Sequence, residues 1–175
     1  MKHTKRLLAA VMALTMVSAI TPMSAFAVDD AKITQDSTTK SGTMTATYNV
    51  QAAYTVTIPA GVTLSDTETV TKNITADAGV MLESGQTIVV TLTEGSNTKT
   101  AGATEFSAKN EGGTSTAKYT ISAGGSVKGV GDTVATFHTS TTAQSETLTF
   151  SAATGATVAG EHTETLTFTI STPTT

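Results

Sequence analysis

Apolar and polar residues alternate along most of the chain, over residues 43–170. Period-two alternation is typical of β-strands that bury one face and expose the other. Threonine fills many of the polar positions, because its branched Cβ suits a pleated sheet while its hydroxyl faces water. The clearest alternating runs contain Tyr54, Val56 and Ile58; Ile88, Val90 and Leu92; Tyr119 and Ile121; Leu148 and Phe150; and Leu166, Phe168 and Ile170.

Glycine-rich segments separate these runs at intervals of roughly ten to twenty residues. They include Gly112-Gly113, Gly124-Gly125 and Ala159-Gly160. Turns at this spacing favour antiparallel hairpins over crossover helices. A helical candidate at residues 76–82 is too short and is interrupted by Gly79. We therefore predict an all-β fold, an antiparallel immunoglobulin-like β-sandwich of about seven to nine strands.

The first residues have the three parts of a secretory signal peptide in order. Lys2, Lys5 and Arg6 precede an uncharged apolar stretch over residues 7–20, and Ala25-Phe26-Ala27 matches a cleavage site. The apolar stretch is shorter than the roughly 20 residues that span a bilayer. We predict a signal peptide at residues 1–27, a flexible leader at 28–42, a β-sandwich domain at 43–171 and a tail at 172–175.

Removing residues 1–27 leaves 175 − 27 = 148 residues with 7 lysines against 14 acids, a net charge of −7. Arg6 is the single arginine, so the mature chain has none of the residue that most often binds phosphate in a bidentate manner. This balance argues against nucleic acid, and against a membrane after signal cleavage, as partners. The absence of cysteine excludes disulfides and thiolate metal sites, and with export it favours a bacterial source.

Two segments carry a family resemblance. Residues 54–59 read YTVTIP, and residues 159–170 read AGEHTETLTFTI. They resemble an early Y-x-V-x-I-P strand and a terminal A-G-x-Y-x-G-T-L-T-F-T strand of small secreted β-sandwich surface proteins of Gram-positive gut bacteria, including relatives of the WxL group. His162 and Glu164 stand where that pattern has Tyr and Gly, and the chain has no Trp. The resemblance implies an extracellular or wall-associated protein, without the wall-binding Trp motifs.

Candidate catalytic and metal-binding residues lack the motifs that usually accompany them. His138 and His162 could join a serine in a triad, but no G-x-S-x-G elbow is present, so we expect both on solvent-facing strand positions. The two histidines with Glu161 or Glu164 have no zinc-type spacing. Asp66, Glu68, Asp77 and Glu83 offer oxygen ligands for Ca²⁺ but form no calcium-loop motif, which favours solvated loop charges.

The segment Gly124-Gly125-Ser126-Val127-Lys128-Gly129 lacks the order of a phosphate loop and is predicted to connect a hairpin. We therefore expect no catalytic, cofactor-binding or metal-ligating residue. Tryptophan, the main platform for stacked sugars, is absent, which also disfavours a stacking-type glycan site.

These observations favour a secreted, non-enzymatic structural or adhesin-like protein of the cell surface or cell wall. Two alternatives stay open. One is a strand-exchanging fibre or matrix subunit, with residues 28–47 and the alternating Met44, Ala46 and Tyr48 as donor; the other is a glycan-binding module. Peptidoglycan, other surface proteins or further copies of the chain are the expected partners. The C-terminal residues have neither an apolar tail nor an LPxTG sequence, so we expect release or non-covalent attachment to the wall.

Overall fold

The computed structural model describes residues 35–36, 44 and 46–173. The predicted signal peptide at 1–27 lies outside these residues, as do most of the predicted leader at 28–42 and the last two residues of the predicted tail. The described part of the chain is built from β-strands and contains no α-helix. Correspondingly, no helix with the length and hydrophobicity of a membrane span occurs in it.

The described residues form ten strands, and three of them, β1, β6 and β9, are only two or three residues long. In chain order the strands are β1 (Val56–Thr57), β2 (Val70–Ala76), β3 (Ile88–Gly95), β4 (Glu105–Asn110), β5 (Thr116–Ala123), β6 (Ser126–Lys128), β7 (Thr133–Phe137), β8 (Gln144–Phe150), β9 (His162–Thr163) and β10 (Leu166–Ser171).

The strands form two antiparallel sheets. The larger sheet has the order β1-β2-β8-β5-β4-β9, with β6 paired to β5, and the smaller sheet has the order β10-β3-β7. Every strand pair is antiparallel. The all-β, antiparallel, sandwich-like fold predicted from the alternating pattern is thereby confirmed.

The core lies where alternating apolar side chains of both sheets meet. Ile88, Val90 and Leu92 of β3 are fully buried, and the intervening residues are only partly buried. On the larger sheet, Ile121 of β5 and Leu148 of β8 are buried in the same way. Burying a side chain of this size contributes about 1.5–3 kcal/mol, so these alternating runs hold the two sheets together.

Strand β10 departs from this burial pattern. Leu166, Phe168 and Ile170 were predicted to face the core, and all three pack against it, yet each remains only partly buried. The reason is position, because β10 is the outermost strand of the smaller sheet and pairs with β3 alone. One side of the last strand is therefore left without a neighbour in the described structure.

Two glycine turns explain local features of the chain path. Gly124 and Gly125 connect β5 to β6 with φ values of 57° and 75°, the left-handed pair that a two-residue type I′ hairpin requires. The predicted hairpin is present, but its connection is confined to Gly124 and Gly125, because Ser126–Lys128 form strand β6. The region of residues 76–82 leaves β2 through a turn at Gly79 and forms isolated bridges, Val80 with Ser140 and Met81 with Ala53, instead of a helix.

Candidate functional site

A groove of about 700 Å³ opens beside β10. One wall is the inner face of the larger sheet, and the other walls are the loop at residues 59–66 and the segment that leads into β10. Two small residues, Ala108 of β4 and Ala117 of β5, are direct cross-strand partners and both line the groove. Since an alanine side chain ends at Cβ, this pair leaves space that larger core residues would fill.

Glu164 lies between β9 and β10 and is one of the residues that line the groove. Its Oε2 accepts two hydrogen bonds, from the backbone N–H of Ser107 at 2.8 Å and from the hydroxyl of Tyr119 at 3.0 Å. Hydrogen bonds to a carboxylate are about twice as strong as neutral ones. Glu164 thus ties the segment before β10 to both β4 and β5.

The second carboxylate oxygen of Glu164 is fully covered. Within the described residues, Glu164 Oε1 and the neighbouring Thr98 Oγ1 are both buried without a hydrogen-bond partner. Gly95, at the end of β3, covers them, since a Cβ at this position would overlap Oε1 and lie 3.0 Å from Glu164 Cδ and 3.3 Å from Thr98 Cβ. Glycine at position 95 therefore makes room for the glutamate.

Tyr119 is held in a row of aromatic rings. Its ring centroid is 5.8 Å from that of Phe106 and 6.3 Å from that of Phe150. Burial, followed by the nearby charge of Glu164 and the hydrogen bond to it, raises the pKa of the Tyr119 hydroxyl far above its usual range. Tyr119 therefore keeps its proton more firmly than an exposed tyrosine, and it donates its hydrogen bond to Glu164 in neutral solution.

His162 contacts a buried serine. Its Nε2 is 2.9 Å from Ser115 Oγ, and its Nδ1 is 3.1 Å from the carbonyl oxygen of Gly160. Ser115, which is 2% exposed, also accepts hydrogen bonds from the backbone N–H groups of Thr157 and Val158. Because the Ser115 oxygen already accepts two hydrogen bonds, its own proton is donated to His162 Nε2. We therefore assign the ring proton of His162 to Nδ1, which donates a hydrogen bond to the carbonyl oxygen of Gly160.

This hydrogen bonding uses the full capacity of the Ser115 hydroxyl. A hydroxyl has one proton and two lone pairs, and here the proton goes to His162 while both lone pairs accept backbone N–H groups. The third member of a serine–histidine–carboxylate triad is replaced by a backbone carbonyl. The arrangement fastens residues 157–162 to the start of β5.

Of the other sequence candidates, Asp66 and Glu161 line the same groove as His162, whereas His138 does not. His138 is exposed after β7, where its backbone exchanges two hydrogen bonds with the Gln144 side chain. The predicted solvent-facing position is confirmed for His138, whereas His162 is partly buried and lies in β9. Across residues 46–173 the structure brings no group of three His, Asp or Glu side chains together in a way that could hold a metal ion.

Ser115 was not singled out from the sequence, although the pattern contained a clue. The residues at 117, 119, 121 and 123 are the buried positions of β5, and extending the alternation backward by two places position 115 on the same face. The partners of Glu164 left no comparable clue, because Ser107 and Tyr119 are 57 and 45 residues away in the chain.

The outer edge of β10 lies beside the groove and is unpaired within the described residues. Thr165 and Thr167 direct their carbonyl oxygens toward the β3 side, where they accept from Ser96 N and Thr93 Oγ1. Backbone groups alternate in direction along a strand. Leu166, Phe168 and Ile170 therefore direct their N–H and C=O groups away from β3, to a side where no described strand pairs with them.

Comparisons with protein-family models, with curated proteins and with solved structures found no match to this chain. The resemblance to small WxL-like surface proteins therefore stays a prediction from the two sequence segments.

Proposed function

We propose that the chain is a secreted, non-enzymatic structural or adhesin-like protein of a bacterial surface or cell wall. The observation that carries this proposal is the unpaired edge of β10 beside a groove that is lined by both apolar and polar side chains. A sheet edge binds partners through backbone hydrogen bonds over an extended contact, which is a mode of assembly and adhesion.

The hydrogen bonding of the polar side chains supports the proposal. Ser115 and His162 bond to each other and to backbone groups. Glu164 likewise bonds to Ser107 N–H and the Tyr119 hydroxyl. These hydrogen bonds join segments that are distant in the chain. A structural role therefore explains why these polar side chains are present, and no catalytic role is needed.

The chain's composition is consistent with a surface location. A signal peptide at residues 1–27 would export it, and the mature part carries a net charge of −7 with no arginine. We infer peptidoglycan, other surface proteins or further copies of the chain as partners.

The test is co-sedimentation of the mature chain, residues 28–175, with isolated Gram-positive sacculi, beside a control without sacculi at the same speed. Pelleting only with sacculi supports wall association, and pelleting in both tubes supports self-assembly. If the chain stays in solution in both tubes, the wall-associated function is refuted. A His162→Ala variant that folds and pellets like the wild type would show that wall binding does not depend on the His162 imidazole.

A matrix or fibre subunit is the second candidate. It is favoured by the same edge of β10, because an edge that accepts a strand from a neighbouring copy would generate a linear assembly.

A further inference from the structure

The edge of β10 differs from the other sheet edges that the structure describes. β1 and β9, which end the larger sheet, are two residues long and leave residues 70–74 of β2 and 105–108 of β4 unpaired on that side. Both of these edges carry a charged residue, Lys72 in β2 and Glu105 in β4. β7, at the other side of the smaller sheet, contains a β-bulge at Val134, since the successive residues Val90 and Thr91 of β3 pair with Ala135 and Thr133. A bulge of this kind hinders the pairing of a further strand with the edge. β10 has six residues, is half-exposed, and contains neither charge nor proline.

A long edge strand without charged residues can pair with a further strand through its free backbone groups. Proteins that avoid such pairing have lysine, proline or a β-bulge in the edge strand. The pairing of β10 with β3 has a register shift between Thr167 and Phe168, which affects the side of β10 that is already paired. β10 itself contains no charged residue that would oppose pairing on its outer side. The edge therefore has the properties of an acceptor.

The donor segment, residues 46–52, has the complementary pattern. It reads ATYNVQA, with Tyr48 and Val50 on one face of an extended chain and Thr47, Asn49 and Gln51 on the other. Met44 precedes it in the same alternation. Met44 is 91% exposed, Tyr48 90% and Val50 48%, so the apolar face of the segment is uncovered in the isolated chain.

We propose that the donor segment of one copy adds as a strand to the open edge of β10 in a second copy, with Tyr48 and Val50 lying in the groove. This inference rests on the proposed structural function and names the partner for its open edge. Backbone groups of the donor would pair with those of Leu166, Phe168 and Ile170, which point away from β3. The donor's apolar side chains would then extend the core-facing row of β10.

Dimensions and charge agree with this pairing. At about 3.3 Å per residue, the seven-residue donor and the six-residue β10 are both roughly 20 Å long. Neither segment contains a charged side chain. The donor's polar residues would lie beside Thr167 and Thr169 on the outer face of the sheet, where cross-strand hydrogen bonds between polar side chains are favourable.

The path of the chain favours a second copy over the same molecule. Ala53, directly after the donor segment, is fixed to Met81 by two backbone hydrogen bonds of 2.8 Å. The preceding residues extend from this point with their apolar side chains in solvent. The donor's own groove is thus left open for the corresponding segment of another copy.

The decisive experiment measures the acceptor directly. A mature chain carrying Tyr48→Asp and Val50→Asp keeps its β10 edge but loses the donor face, and both substitutions fall on exposed residues. We expect a fluorescent peptide of residues 44–52 to bind this chain saturably. A peptide with the same two aspartates should bind about tenfold more weakly or worse. A peptide with Thr47→Asp and Gln51→Asp, matched in charge but altered on the polar face, should retain binding.

Hydrogen exchange identifies the site of binding. When the peptide binds, the amides of Leu166, Phe168 and Ile170 should gain protection, whereas those of Thr167 and Thr169 should change little because they already face β3. Equal binding of all three peptides, or no binding, would refute the pairing. Protection of the three amides in a monomeric wild-type chain would show that its own segment fills the groove, which overturns the proposal of a second copy.

Failure of this inference is distinguishable from failure of the proposed function. If the Tyr48→Asp, Val50→Asp chain still pellets with sacculi and binds no peptide, strand donation is refuted and wall association stands. If the peptide binds specifically and no chain pellets with sacculi, strand donation stands and the wall is not its partner.

Discussion

The carboxylate of Glu164 occupies the volume that a side chain at position 95 would need. Gly95 ends β3, and Glu164 lies at the entrance of β10, so the two residues meet where the outer strand joins the smaller sheet. Glu164 cannot simply move away, because Ser107 N–H and the Tyr119 hydroxyl hold its other oxygen. The Glu164 carboxylate can therefore occupy this place only because residue 95 is a glycine and has no Cβ.

Gly95→Ala is expected to destabilise the fold by about 1–3 kcal/mol, the range for overpacking a filled site. Urea unfolding measures the change. Gly61→Ala serves as the matched control, because a Cβ at Gly61 meets nothing within 4 Å.

A double-mutant cycle tests the cause of this destabilisation. Glu164→Ala removes the obstruction, so the cost of Gly95→Ala should fall by about 1 kcal/mol or more in that background. An unchanged cost would mean that Thr98 or the backbone, and not Glu164, opposes the added methyl group.

Ser115→Ala is expected to destabilise the chain by about 1–3 kcal/mol, because the backbone N–H groups of Thr157 and Val158 and the His162 ring lose their shared partner. The amides of residues 157–162 should exchange faster in the variant. Ser145→Ala, an exposed serine in β8, provides the control. Similar stability for the two variants would show that the serine oxygen contributes little.

Stability should fall in alkaline solution because of Tyr119. Its pKa is raised in the folded state, while in the unfolded chain it titrates near pH 10. The unfolded state therefore loses this proton first, and the stabilisation present below pH 10 decreases as the pH rises above it. The slope from one such group is at most about 1.4 kcal/mol per pH unit.

Unfolding free energies of the wild type and Tyr119→Phe between pH 8 and 11 measure this contribution. The difference between the two proteins should shrink above pH 10, since phenylalanine has no proton to lose. Tyr48→Phe, which alters a tyrosine that is 90% exposed, is the control. A constant difference across this range would contradict the assignment.

Processing of the full chain in a Gram-positive host tests the signal peptide. Cleavage after Ala27 should yield a secreted product whose mass begins at Val28, which intact-mass spectrometry identifies. Ala25→Asp with Ala27→Asp should block cleavage, since signal peptidase requires small residues there. Retention of the unprocessed wild-type chain in the cytoplasm would overturn the prediction.

The alternating pattern predicts the burial and the extent of the central strands correctly, but it predicts those of the outer strands less well. Ile88, Val90 and Leu92 were predicted to be buried and are. The run from Tyr54 to Ile58 has the same alternation, but only Val56–Thr57 pairs as a strand. Alternation reports which face of a strand is apolar and not how many neighbours the strand has, so it could not distinguish the open edge of β10 from a covered strand.

The groove and its hydrogen bonds depend on contacts that no local pattern encodes. In the sequence, Glu164 is distinguished only by its place in the terminal strand pattern, where the surface proteins that the chain resembles have glycine. Its partners lie on other strands and are brought to it only by the sheet order. Tyr119 was predicted as a core residue, and its burial is confirmed, but its hydrogen bond to a carboxylate required knowledge of both sheets.

The pairing of β10 with β3 has a consequence for the time at which the fold can form. Leu166 lies opposite Gly95, 166 − 95 = 71 residues earlier in the chain. The smaller sheet is therefore incomplete until residues up to Ser171 have emerged, and closing so long a loop is slow. If residues 1–27 direct export as predicted, this delay would help to keep the chain unfolded until it has crossed the membrane.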